Sequence, residues 1–210
     1  MHKKAFTPDN TAMLLIDHQV GTMAWAHSSD INLVKRNALH LARIARAGGL
    51  TVVLTASMKD RIQGPLVPEL EQIPPGAFAQ RIKRPGIVNA MHHDGFNRAV
   101  KATGRKKQIV AGVTTEICLT FPVLQMLEIG YEVQVSADAS ASWSKLGNKL
   151  ALQRMENAGV VITTVDQIIS ELAIDWTSPE RPTTGGDSRI PIEVQSTRSA
   201  SVGYARRGVN

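Results

Sequence analysis

The sequence predicts a three-layer α/β/α sandwich built on a mostly parallel, doubly wound, six-stranded sheet. Two observations predict it. Short, β-branched apolar runs alternate along the chain with stretches of helical spacing, and repeated strand–helix units fold as a parallel sheet covered on both faces. The second is size. A chain of 210 residues holds one α/β domain with a sizeable core, whereas a complete eight-fold barrel needs about 250 residues and more units. No internal repeat is present.

Each element follows from local chemistry. Thr11–Asp17 is an apolar run that ends in an acid. Asp30 can cap a helix over Ile31–Ala47, with Leu33, Val34, Leu41 and Ile44 on one face and Gly48-Gly49 ending it. Thr51–Ala56 is the second strand. The Pro- and Gly-rich connection Ser57–Ala77 has room for a short helix around Pro68–Gln72, and loops of that length are more often functional than idle. Phe78–Lys83 is expected as a short third strand and Asp94–Thr103 as a helix with Phe96, Ala99 and Val100 inward. Gln108–Val113 is the fourth strand. Glu116–Ile129 has helical spacing, Glu132–Ala137 is the fifth strand, Lys145–Ala158 a helix, Val160–Thr164 the sixth strand and Val165–Leu172 a last helix. These elements place a domain over residues 1–175. Residues 176–210 change to Ser, Thr, Gly, Pro and Arg with little periodicity. They read as an extended extension or an arm that contacts a neighbouring subunit, with Ile190, Ile192 and Val194 as an added strand.

Composition narrows the partners. Hydrophobic residues make up 43% and charged residues 20%, as in ordinary globular chains. No apolar run reaches the roughly 18 residues that span a bilayer, and the start MHKKAFTPDN has no apolar leader core. The one cysteine excludes an intramolecular disulfide. Together these favour the cytoplasm and no membrane partner. The net charge is +6 with a pI near 9.7, yet Lys and Arg are scattered and aromatics are only 4%, so no nucleic-acid partner is expected.

Two strand ends carry the chemistry. In KKQIVAGVTTEIC, Lys106–Cys118, an apolar strand meets a glycine turn and then a helix with Cys118 in its first turn. A helix N-terminus lowers a thiol pKa, and its unpaired N–H groups can hold an oxyanion. A lone cysteine is more often a small buried hydrophobe. Asp17, however, ends another strand on the same sheet edge, where open α/β sheets place their sites.

With these residues placed, the chain resembles the isochorismatase-like cysteine hydrolases, a Rossmann-like superfamily that includes nicotinamidases and N-carbamoylsarcosine amidohydrolase. It is most similar to the YcaC-type hydrolases. The matching segments are LLIDHQVG at 14–21, GPLVPEL at 64–70, KRPGIVNA at 83–90, the run at 96–133 that holds GVTTEIC, and SADAS at 136–140. The resemblance covers about residues 8–175. It implies an amidohydrolase that cleaves a C–N amide-type bond of a small molecule through a thioester, using an Asp–Lys–Cys triad. Asp17 and Cys118 take the first and last places. The basic place falls on Lys83 by residue type and on Arg84 by spacing. The resemblance also implies a cis Val113–Thr114 peptide and an oxyanion hole made by the Thr114 and Cys118 amides. It implies a homo-oligomer, from dimer up to octamer.

The chain departs from relatives in ways that bear on the reaction. Cys118 argues against vinyl-ether cleavage, for which true isochorismatases lack the cysteine. The metal site of nicotinamidases has no counterpart in Ser57–Arg61, where histidine is missing, so no metal and no cofactor are expected. His18 reads as a structural hydrogen-bonding residue. Gln19, Met23, Trp25, Met58, Asn89 and Trp143 come from loops expected to open on the Cys118 edge. Of these, Gln19, Trp25, Asn89 and Trp143 are the expected walls of a compact, partly apolar substrate pocket. Two other readings stay open at this point: a thiol redox centre, for which no resolving cysteine exists, and a non-catalytic oligomeric binding or scaffold protein.

Overall fold

The structure, a computed structural model, describes residues 5–173. The expected arm at 176–210, its Ile190–Val194 strand and the boundary near 175 lie outside the described residues.

The strands are β1 (Thr11–Ile16), β2 (Thr51–Ser57), β3 (Ile82–Arg84), β4 (Lys107–Gly112), β5 (Glu132–Ser136) and β6 (Val161–Thr163). They form one six-stranded sheet in the order β3-β2-β1-β4-β5-β6, every pair parallel. The chain works outward from β1 to β3, then returns to place β4 on the other side of β1. The switch point between β1 and β4 opens a crevice at their C-terminal ends.

The period-two side-chain alternation divides the core into two layers. Met13 and Leu15 of β1 and Ile109 and Ala111 of β4 pack on one face, with Val34, Leu41 and Ile44 of α2 (Ile31–Ala47) and Ile168 and Leu172 of α8 (Val165–Ala173). Leu14, Ile16 and Val110 pack on the other. Their partners are Phe96 and Val100 of α5 (Asp94–Ala102), Val123 and Met126 of α6 (Thr120–Glu128) and Met155 of α7 (Lys145–Asn157). Both faces of the central strands are therefore dry, and every residue of β1 and β4 is buried. Asp30 does cap α2, accepting from the Asn32 N–H at 2.9 Å, and Gly49 turns the chain away with φ 69°.

Three elements correct the sequence reading. The third strand is not Phe78–Lys83. Pro75 opens a short helix, α4 (Pro75–Ala79), as proline does at a first helical position. The Phe78 ring there takes the Arg81 guanidinium at 4.2 Å, and β3 begins only at Ile82, pairing Thr55–Ser57 with Ile82–Arg84. A five-residue helix, α1 (Val20–Ala24), follows β1 with no side-chain cap to announce it. Finally, Cys118 does not open an α-helix. It sits in a π-helical turn, Thr115–Leu119, ahead of α6. Pro122 marks the change, because a residue without an N–H belongs in the first turn of α6 and not in its middle. The short helix expected near Pro68–Gln72 is present as α3 (Glu69–Gln72). No helix among the described residues is long and apolar enough to cross a membrane.

Candidate active site

Asp17 follows β1 directly. Its N–H donates to the Thr55 carbonyl at 3.0 Å, which continues the β1–β2 ladder by one residue. Its φ of 56° then swings the chain out of strand geometry. Aspartate tolerates this left-handed region better than most residues. Met58, the residue that follows the neighbouring strand β2, also has a positive φ, at 45°. Each such residue costs about 1–3 kcal/mol and persists where the surroundings over-determine it.

Arg84 ends β3 and reaches inward over β2. Its Nη2 donates to Asp17 Oδ2 at 2.5 Å, its Nε to Thr55 Oγ1 at 2.8 Å and its Nη1 to the Ile87 carbonyl at 2.9 Å. Thr55 Oγ1 in turn donates to the Ile82 carbonyl at 3.0 Å. The pair is dry, with side-chain exposures of 1% for Arg84 and 0% for Asp17. A guanidinium suits this role because its fork fills three directions at once. Asp17 Oδ1 is buried and has no partner of ordinary hydrogen-bond geometry among the described residues.

Cys118 faces that carboxylate. Burial pushes its thiol pKa up, and the Asp17 carboxylate raises it further both as a charge and as a hydrogen-bond acceptor. A backbone hydrogen bond with Thr114 and the Arg84 charge pull the other way and are outweighed. This corrects the expectation of a thiol lowered by a helix N-terminus. The π-turn places Cys118 before α6, and a buried group beside an anion resists becoming an anion itself. The resting sulfur is therefore a thiol, with a carboxylate placed to take its proton.

The Val113–Thr114 peptide is cis. The Cys118 N–H donates to the Thr114 carbonyl at 2.9 Å, and the Ile117 and Leu119 N–H groups converge on the same oxygen at 3.2 and 3.3 Å. Of the two amides expected as an oxyanion hole, that of Cys118 is thus spent within the turn, while the Thr114 backbone lies against the sulfur.

These groups line a pocket of about 190 Å³ whose wall includes Asp17, Arg84, Thr114 and Cys118. Trp25 and Trp143 line it too, their rings edge to face at 6.5 Å. Met58 is in the wall as well, and the remaining expected residues lie elsewhere. Lys83 is exposed and lines an adjoining depression with Lys59 and Arg61, which shares Met58, Arg84 and Gly86 with the Cys118 pocket. The pleat therefore gives the basic position beside Asp17 to Arg84. Gln19 is buried as a staple: its Oε1 accepts from the Ser57 N–H at 2.9 Å and its Nε2 donates to the Ser57 and Gly64 carbonyls. Asn89 caps the 3-10 turn Ala90–His92 and donates to Gln125 Oε1 at 2.7 Å. Met23 belongs to the core. His18 is fully buried, its Nε2 on the Ala139 carbonyl at 2.9 Å, and burial lowers its pKa. Sequence reasoning missed Thr22, Gln63, Ile87, Val88 and Ile117 in the pocket wall. A signal existed for two of them, since IV in KRPGIVNA is an apolar pair in a polar loop.

Residues 11–167 match the Isochorismatase domain. The chain belongs to the isochorismatase family. It is 38% identical over 169 residues to the probable hydrolase YcaC of Escherichia coli, covering 80% of each chain. Among solved structures, YcaC of Pseudomonas aeruginosa superposes with a TM-score of 0.80 at 39% identity, covering 84% of this chain and 86% of that one. The Escherichia coli YcaC structure, described as an octameric hydrolase of unknown specificity, gives 0.80 at 38% identity and covers 84% and 85%. The family and these relatives make this chain an isochorismatase-like hydrolase.

Proposed function

We propose that the chain is a cysteine hydrolase that cleaves a C–N amide-type bond of a small molecule through a thioester acyl-enzyme. One observation carries the reading: the buried Asp17 carboxylate, held by Arg84 at 2.5 Å, acts on the Cys118 thiol in the wall of a pocket. The YcaC structure from Pseudomonas aeruginosa, described with covalent acrylamide, supports it by relationship.

As the sulfur attacks the carbonyl carbon, its proton passes to the Asp17 carboxylate and a C–S bond forms. The carbonyl oxygen takes the electron pair beside the Thr114 backbone amide. Collapse breaks the C–N bond, and Asp17 returns the proton to the leaving amine. A water molecule gives a proton to Asp17 and attacks the thioester; the C–S bond breaks and the thiol is reprotonated. Arg84 is a positioning residue: its Nη2 contact with Oδ2 holds the carboxylate in place.

The test is a panel of small amides and p-nitrophenyl acetate, with the acyl adduct on Cys118 followed by intact mass. Cys118→Ala removes adduct and turnover, and Asp17→Asn slows acylation about 10²–10⁴-fold, the usual weight of a positioned base. Turnover that survives Cys118→Ala overturns the reading. By relationship to the octameric Escherichia coli protein we also propose a homo-oligomer, which light scattering after gel filtration reads directly.

A further inference from the structure

Besides Asp17 Oδ1, which faces the sulfur, the residues of the pocket wall hold two buried polar atoms without a hydrogen-bond partner among the described residues. Thr22, in α1, is 4% exposed, and its hydroxyl has no hydrogen-bond partner among the described residues. Gln63 lies in the loop after β2, and its side-chain carbonyl Oε1 is likewise buried without a partner. Both residues line the Cys118 pocket. Their two segments are sewn together: the Gly21 N–H donates to the Gln63 carbonyl and the Val20 N–H to that of Pro65, each at 2.9 Å. Gly21 permits this, because a Cβ there would run into the Ile62 carbonyl oxygen. The Gln63 amide nitrogen lies 3.5 Å from the Met58 sulfur. A thioether accepts and does not donate, which fixes the nitrogen toward Met58 and leaves the oxygen as the free end.

An unpaired buried polar atom costs about 1–3 kcal/mol, and a ligand that supplies its partner recovers that cost. The two atoms offer an acceptor, from Gln63, and a hydroxyl that both donates and accepts, from Thr22. A group that presents N–H and C=O side by side matches them. Charge narrows the choice. The charged residues in the wall are Asp17 and Arg84, which neutralise each other, and the Arg84 fork is already spent on Asp17, Thr55 and Ile87. Neither an acid nor an amine finds a free counter-charge. Most of the remaining wall is apolar, with Trp25, Met58, Ile87, Val88, Ile117 and Trp143, beside the polar Ser57 and Thr114. About 190 Å³ is somewhat more than the roughly 150 Å³ that accepts a benzene ring.

We propose that the pocket selects an uncharged primary carboxamide with a compact apolar acyl group, and that Thr22 and Gln63 determine this specificity by pairing with its amide. The substrate class rests on the cysteine hydrolase reading above; the binding preference does not need the chemistry to occur.

The experiment uses full-length Cys118→Ala protein. Tryptophan fluorescence, from Trp25 and Trp143 in the wall, is titrated with isobutyramide, isobutyrate and isobutylamine, three probes of one shape and different charge. Isobutyramide is expected to bind at least tenfold more tightly than either charged probe. Adding Gln63→Leu or Thr22→Val is expected to weaken it about 3–10-fold, the weight of one neutral hydrogen bond, with circular dichroism confirming the fold. If Gln63→Leu does not fold, Thr22→Val and the three-probe comparison decide. Equal binding of the three probes, no binding of the amide, or full affinity in the variants overturns the proposal. Acylation of wild-type Cys118 without amide preference removes this inference alone. Amide preference in a protein whose Cys118 never acylates removes the hydrolase reading alone.

Discussion

Two depressions share β3 as a wall and use its side chains in opposite ways. On one side Arg84 is 1% exposed, spends its three donor directions on the protein, and leaves the pocket neutral with Asp17. On the other, Lys83 stands exposed beside Lys59, Asp60 and Arg61 around a wider hollow of about 450 Å³, whose wall Arg84 also reaches. Adjacent residues with the same charge thus have unlike consequences. The inner cation is part of the architecture and is desolvated; the outer ones are solvated, and exposed pairs such as Lys59–Asp60 contribute about 0–1 kcal/mol. The size of a depression is therefore a poor guide to which one holds chemistry.

The sharpest way to break this contrast is to truncate each cation. Arg84→Ala leaves the Asp17 carboxylate buried and unpaired, a loss of about 3–5 kcal/mol, whereas Lys83→Ala stays within about 0.5 kcal/mol; equilibrium urea unfolding reads both. Equal losses would mean that Arg84 is not the buried partner described. Gly21 and Gly86 differ next. Gly21→Ala drives a Cβ into backbone oxygen and costs about 1–3 kcal/mol. Gly86→Ala meets only the Met58 side chain, at 3.1 Å, and thermal melts should show it far milder.

A third, smaller effect separates Asp17 from the residue after it. His18 is buried and its pKa is lowered, so below the unfolded value of about 6.5 the unfolded chain binds a proton that the folded one refuses. Its stabilising contribution is complete above that pH and falls by about 1.4 kcal/mol per unit as pH drops toward the lowered value. His18→Gln should flatten this stretch of a stability–pH curve. The smallest effect concerns the thiol itself. Asp17→Asn removes the second cause that raises the Cys118 pKa and leaves burial, the first. The midpoint of iodoacetamide alkylation against pH should move down while amide turnover falls. A midpoint that moves up would place the carboxylate away from the sulfur.

Much of this was legible from residue pattern. Buried strands hold unbroken apolar runs such as AMLLI and IVAG, so β1 and β4 stand out wherever they pair, and Asp17 and Cys118 follow from their ends. The basic residue was not legible between Lys83 and Arg84, because a three-residue strand carries too little alternation to show which way it faces. Phe78 misled for a related reason: an aromatic beside apolar residues reads as strand, while the Pro74-Pro75 start and the Arg81 contact make it a helix. Gln19 and Asn89 looked like pocket residues because polar loop side chains do. Their hydrogen bonds instead go to loop backbone and to Gln125, partners that only the folded chain brings near. Thr22 and Gln63 were invisible for the converse reason, since lacking a partner is a property of the finished structure.

The strand order has one more consequence, for how the protein comes into being. Asp17 and Arg84 are 67 residues apart in sequence, and Cys118 arrives only after the chain has returned to lay β4 against β1. Closing such distant segments is the slow part of building an α/β domain. Local helices can therefore form in a nascent or refolding chain well before the carboxylate meets the sulfur. Native-like behaviour of Cys118 toward a small electrophile is consequently a clock for the docking of β4: a chain released before β4 has docked carries a plain thiol, and the lag between helical signal and that change in reactivity times this long-range step of folding.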